Sequence, residues 1–187
     1  MPNTSTLEMA ILGLLRGKPQ TGYDLRKTFT TTAMRHYSDS PGSIYPALRR
    51  LENRGWIREI RPAGSRADDR RRRHEFALTE PGREALIAWL EQQVTVEDVR
   101  FRLVELMLRF AFMDGCINRS DAVRFLDQVT QGLVEHVGEM HSKFKEMSAK
   151  TPPLHTGLLA FELGIRSMET QLAWARDTCA RLREKLQ

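Results

Sequence analysis

The segment GSIYPALRRLENRGWI, Gly42 to Ile57, constrains this chain more than any other. Ile44, Leu48 and Leu51 recur at i, i+4 and i+7, so they form one buried stripe of a short helix. Tyr45, Arg49, Glu52 and Asn53 fall on other faces. A glycine at 55 is placed to end the helix in a left-handed turn. Trp56 to Ile60 then alternates as a strand does. A core helix has no need of two arginines and a tyrosine beside its apolar stripe. A helix that lies on a phosphate backbone does, so Ser43, Tyr45, Arg49 and Arg50 are candidate DNA contacts.

The flanking segments supply the rest of a small unit. Ser5-Thr6-Leu7-Glu8 reads as a capping box, followed by apolar residues at helical spacing up to Leu15 and a stop at Gly17-Lys18-Pro19. Thr21-Gly22-Tyr23-Asp24 starts a second helix in the same way, with Leu25 and Phe29 inward; its end, TFTTTA, is poor helix. The third begins at Ser40-Pro41 or at Ser43. Pro62 to Asp69 is turn-forming, and Arg72 to Leu78 reads as a return strand. Thr79 caps a fourth helix that has Pro81 at its second position. Helix, helix, helix, strand, turn, strand, helix is the order of a winged helix-turn-helix, whose third helix enters a major groove. The run Arg70, Arg71, Arg72 and Arg73 then falls on the hairpin, within reach of phosphates or a minor groove. It also reads as a solvated charge run beside Asp68 and Asp69.

Charge is divided unevenly. Residues 1–92 hold 16 Lys and Arg against 11 Asp and Glu, and residues 93–187 hold 13 against 13, so the net +5 lies in the first half. A basic domain joined to a neutral one points to a polyanion bound by the first. No apolar run approaches the roughly 20 residues of a membrane span. The two cysteines, Cys116 and Cys179, lie far apart without a ligand pattern, which fits a reduced cytoplasmic protein, here one associated with the nucleoid.

The second half reads as long helices. Val99 to Met113 is apolar except for a stripe at Arg102, Glu105 and Arg109. Ala122 to Met147 repeats every three or four residues until Pro152-Pro153. Leu158, Phe161, Ile165, Met168, Leu172, Ala175, Cys179, Leu182 and Leu186 keep a heptad seam for about four repeats. That seam is expected to pair within the chain and across a two-fold axis, which makes Leu158, Phe161, Ile165, Met168, Leu172 and Leu182 candidate dimer contacts. The expected architecture is mainly α: a winged helix-turn-helix over 1–93 with a small β-hairpin wing, and an antiparallel long-helix dimerisation domain over 94–187.

Chemistry for catalysis is not visible. There is no GxGxxG, P-loop or GxSxG, and no nucleophile stands beside a base and an orienting group. No cofactor and no metal site is expected. His136 and His141, near Glu135 and Glu139, lack a second ligand cluster. His36 and Tyr37 sit between the second and third helices without a pattern of their own. Arg100, Arg102 and Arg109 mark a candidate effector site, because an aromatic carboxylate needs a cation in an apolar cavity. The same arginines also read as helix-surface ion pairs.

TGYDL (Thr21 to Leu25), GSIYPALRRLENRGWI and LTEPGREAL (Leu78 to Leu86) resemble the signature blocks of the PadR family of transcriptional regulators. Gly164, Glu169, Leu172 and Trp174 resemble the C-terminal helix of its longer branch. The resemblance covers most of the chain, most strongly residues 7–90. It implies a homodimeric winged-helix repressor on an inverted-repeat operator. It further implies, for some members, a phenolic-acid effector held between the two domains. No motif carries effector residues over one by one. A winged-helix adaptor that binds protein instead of DNA is the alternative.

Overall fold

The computed structural model describes residues 4–32, 41–60, 74–152 and 154–185. His36, Tyr37, Ser40, Pro153, Leu186, the turn-forming stretch 62–69 and Arg70 to Arg73 lie outside the described residues. The chain forms two compact units, residues 1–90 and 91–187. That division falls three residues before the boundary expected from sequence. Gln92 and Val94 hydrogen-bond into the second unit, through Arg109 and Gln128 respectively.

In the first unit, α1 is Thr6–Leu15, β1 is Gln20–Thr21, α2 is Gly22–Thr31, α3 is Ile44–Asn53, β2 is Ile57–Ile60, β3 is Glu75–Leu78 and α4 is Glu80–Leu90. Capping boxes open α1 (Ser5 with Glu8) and α2 (Thr21 with Asp24), as their spacing indicated. The threonine-rich end of α2 stays helical to Thr31. Its hydroxyls donate back one turn: Thr28 to Asp24 O, Thr31 to Lys27 O and Thr32 to Thr28 O. Ser43 does not act as the expected cap. A 3-10 turn, Pro41–Ser43, leads into α3, and Ser43 has helical backbone angles with no capping hydrogen bond.

The end of α3 is a Schellman motif. Gly55 has φ 70°, its N–H donates to Glu52 O (2.8 Å), and Trp56 N–H donates to Leu51 O (3.0 Å). This turns the chain directly into β2. The sheet is antiparallel in the order β1-β3-β2, with Ile57 opposite Leu78 and Gln20 opposite Phe76. Sequence reading missed β1. Ile11, Leu12, Leu25, Phe29, Ile44, Leu48, Leu51, Ile57, Leu86 and Leu90 form the buried core.

In the second unit, α5 is Val96–Phe101, α6 is Leu103–Met113, α7 is Arg119–Ser148 and α8 is Thr156–Glu184. The single helix expected over Val99–Met113 is two helices. The first starts at Val96 behind a Thr95–Asp98 capping box, and the break falls at Arg102 (φ −133°, ψ 22°). Hydrogen bonds to Thr95 and Arg102 hold the Asp98 carboxyl below its usual range, against the opposing effect of burial. The α7 and α8 helices run antiparallel. Phe144 stacks on Phe161, His141 meets Glu169 at 2.8 Å, and Asp127 accepts from Cys179 and Arg183. At 30 and 29 residues they are each roughly 45 Å long. At Gly132 a side chain is excluded, since a Cβ there would lie 2.7 Å from Val99 Cγ2. No helix among the described residues is long and apolar enough to cross a membrane.

Candidate nucleic-acid interface and effector pocket

The α3 helix buries Ile44, Ala47, Leu48 and Leu51 and turns Tyr45, Arg49, Arg50 and Glu52 outward. Tyr45 is 50% exposed. Its ring lies over the start of α2, where a Cβ on Gly22 would meet Tyr45 Cε1 at 2.8 Å. Tyr45, Arg49 and Glu52 line one side of a pocket of about 350 Å³, closed on the other by Tyr23, Glu59, His74 and Phe76. Arg26 lies over the Tyr23 ring, 5.6 Å from its centroid, beside this surface. His74 pairs with Glu59 across the β2–β3 ladder. Two of the expected contacts, Tyr45 and Arg49, therefore share one exposed face with a groove beside it.

Arg50 is placed differently. It stands roughly 140° round the helix from Tyr45, at 100° per residue. Its Nε donates to Glu8 Oε1 at 2.5 Å, although half of the side chain is exposed. Arg54, one turn on, donates to Glu8 Oε2 at 3.1 Å and to Thr4 Oγ1 at 3.3 Å, and its guanidinium lies over Trp56, 5.2 Å from the ring centroid. Glu8 itself is 1% exposed. Sequence reading identified Glu8 as a capping residue only. A carboxylate on the core side of a helix was the available signal, since such a group must be paired when buried.

All three effector candidates have partners inside the second unit. Arg100 pairs with Glu139, and Arg102 with Asp98 (3.2 Å) and Glu105 (3.5 Å). Arg109 is 4% exposed, donates to Gln92 O and lies over Phe125, 5.0 Å from its centroid. Burial lowers the Arg109 pKa, with Asp98 and Glu105 opposing. Asp98, Glu139 and a main-chain carbonyl therefore take them up, in the manner of the ion-pair reading for Arg102.

Arg100 lines a concavity of about 320 Å³ among Phe101, Val104, Met107, Leu133, Met168, Gln171 and Trp174. The buried Arg100 Nε and Gln171 Oε1 have no hydrogen-bond partner among the described residues. His136 nearby is held below the usual histidine range by burial and then by Arg100. No group of three or more His, Cys, Asp or Glu that could hold a metal occurs among the described residues.

The expected dimer contacts lie on α8. Leu158, Ile165 and Leu172 are buried, and Phe161, Met168 and Leu182 half-buried. The α7 helix of the same chain packs along α8, so their burial needs no second copy. The large apolar side chains that α8 leaves outward are Leu159, Leu163 and Trp174, with Leu163 69% exposed.

Residues 11–88 match the model of the family described as "Transcriptional regulator PadR-like family". The chain is 27% identical over 150 residues to the "Negative transcriptional regulator PadR" of Bacillus subtilis (strain 168), over 79% of this chain and 78% of that protein. Similar solved structures include Bacillus subtilis PadR in complex with operator DNA (22% identity, TM-score 0.42, 94% of this chain and 98% of that one). Another is the same protein in complex with p-coumaric acid (21% identity, TM-score 0.41, 98% of each chain). A third is the Vibrio cholerae virulence activator AphA (18% identity, TM-score 0.41, 96% and 99%). Over residues 11–88, and there alone, this chain matches the PadR-like family of transcriptional regulators.

Proposed function

We propose that the chain is a transcriptional repressor that binds an inverted-repeat operator as a homodimer in the cytoplasm. The observation that carries this is α3: a short helix of a winged-helix unit, with Tyr45 and Arg49 on one exposed face and its apolar stripe fully buried. Such a helix reads base edges from the major groove, and a wing adds phosphate contacts. Repression follows the description of the Bacillus relative as a negative regulator. Tyr45→Ala and Arg49→Ala are expected to lower operator affinity by about 5- to 150-fold each, the span of one good base contact. Their melting temperatures should stay close to wild type, since both side chains point outward. A large fall in melting temperature would instead make them core residues. Arg72→Ala with Arg73→Ala is expected to weaken operator and random duplexes alike. The salt slope should fall by about 0.9 for every phosphate that is no longer neutralised.

Dimerisation falls to outward surfaces, because the heptad seam is already occupied within the chain. Leu159 and Leu163 lie on one stripe of α8 and are exposed. A second copy covering these side chains would supply the two-fold axis that an inverted repeat requires.

The effector is a small aromatic acid held beside Arg100. The pocket's size suits such a ligand, its walls are apolar and aromatic, and Arg100 Nε–H would donate to a carboxylate. Gln171 Oε1 would accept from a hydroxyl. Arg100→Ala should abolish heat on titration with hydroxycinnamic or benzoic acids. A ligand that releases DNA binds the free protein more tightly than the complex, by the factor in which it weakens DNA affinity. Equal binding to both forms would rule out an inducing role.

A further inference from the structure

We propose that Glu8 is a positioning residue for DNA reading, and that it withholds Arg50 from the phosphate backbone. The proposal rests on the DNA-binding reading above and concerns what sets its specificity. Glu8 sits on α1, yet both of its oxygens reach α3 and its C-cap. Oε1 accepts from Arg50 Nε at 2.5 Å, and Oε2 accepts from Arg54 Nη1 at 3.1 Å and from Ser5 N–H at 3.2 Å. At 1% exposure the carboxylate is a fixed point in the core.

Its partners are four residues apart, so they lie one above the other on the same side of α3. Two bonds separated by a turn add to the buried stripe of Ile44, Leu48 and Leu51 in fixing the roll and the axial position of this ten-residue helix. Arg54 also stacks on Trp56, whose carbonyl accepts from Thr79 N–H at 3.1 Å. Through Arg54 the same carboxylate is tied to the root of the β2–β3 hairpin. The helix that presents Tyr45 and Arg49 is therefore held in register with the wing.

Charge gives the second consequence. An arginine next to a DNA-facing surface adds non-specific affinity when it meets a phosphate. Arg50 is half exposed and follows Arg49, about 100° round the helix from it, but its charge is answered inside the protein. Losing the Glu8 carboxylate would release Arg50 outward. Affinity would then rise on random duplexes, while operator affinity fell as α3 lost its fixed roll. Discrimination would fall from both sides.

The test uses the full chain with Glu8→Gln, which keeps the shape and removes the charge, on operator and random duplexes across a salt series. For Glu8→Gln the expected result is at least tenfold weaker operator binding. Random-duplex binding should become tighter, and its salt slope steeper by about 0.9. Adding Arg50→Gln should return the random-duplex slope to wild type without restoring operator affinity. A Glu8→Gln protein that keeps the wild-type ratio and slope overturns the proposal, and so does one that loses both affinities in equal proportion, as general destabilisation would. Should Glu8→Gln not fold, Arg50→Gln alone decides. An unchanged random-duplex slope supports the proposal, and a fall of about 0.9 shows Arg50 on a phosphate and overturns it. Wild-type protein that binds neither duplex fails the parent reading instead, a result distinct from all of these.

Discussion

Gly82→Ala is expected to destabilise the N-terminal unit by about 3 kcal/mol, the upper part of the range for overpacked sites. A Cβ at this position would lie 2.0 Å from Trp56 O and 2.8 Å from Trp56 C. The obstruction is backbone, so no side chain can move aside. That carbonyl also accepts from Thr79 N–H at 3.1 Å, and Thr79 Oγ1 caps α4 through Gly82 N–H. Relieving the clash would therefore pull apart the join between α3, β2 and α4. Gly138→Ala is the control. Nothing lies within 4 Å of its Cβ position, and alanine in a helix interior is better than glycine by about 0.5–1 kcal/mol. Urea midpoints should fall for the first variant and hold or rise for the second. A Gly82→Ala protein of wild-type stability would mean that α4 does not pack on Trp56 as described.

The second large effect belongs to Leu172→Asp. Leu172 is 9% exposed on the seam of α8. An aspartate there would place a charge without a partner between α8 and α7, at a cost of about 3–5 kcal/mol. Because the seam is filled within one chain, the expected outcome is loss of the α7–α8 hairpin and not a clean, folded monomer. Circular dichroism and sedimentation together check this. A soluble Leu172→Asp protein with full helicity contradicts the intrachain placement, whatever its oligomeric state.

Leu172 also shows where sequence legibility ended. The three-and-four spacing from Leu158 to Leu182 stated that one face of α8 is buried. It held nothing about which helix covers that face, because an intrachain and an interchain partner demand the same spacing. Glu8 shows a related limit. Its capping box with Ser5 was readable because the partners are three residues apart. Its bonds to Arg50 and Arg54 span 42 and 46 residues, a distance across which local patterns carry no signal.

The helix ends were legible where chemistry marks them. Ser5, Thr21, Gly55 and Thr79 each act at the backbone in the way their residue types favour. The break at Arg102 was not, since neither glycine nor proline stands there and the apolar pattern runs across it. Local ion pairs flank it instead, Arg102 with Asp98 four residues before and with Glu105 three residues after. The Thr95–Asp98 box just upstream was the overlooked sign that the helix begins earlier. The two-residue strand β1 is too short to show any period. Among the site candidates, the outward face of α3 followed directly from periodicity. The pairing of Arg102 with Glu105 was one reading of the spacing, but the partners of Arg100 and Arg109 were not legible, because Glu139 and Gln92 reach them from other parts of the unit.

The most direct test of DNA reading by α3 is a salt-resolved binding titration of the wild-type chain. It would compare duplex from the promoter of its own gene with a scrambled duplex of equal length and composition. A saturable complex on the promoter duplex is expected, at least about 10³-fold tighter than on the scrambled one, and weakening with salt on both. Equal affinity for the two duplexes at every salt concentration, or no complex with either, would contradict operator reading and leave the winged-helix unit to a protein partner.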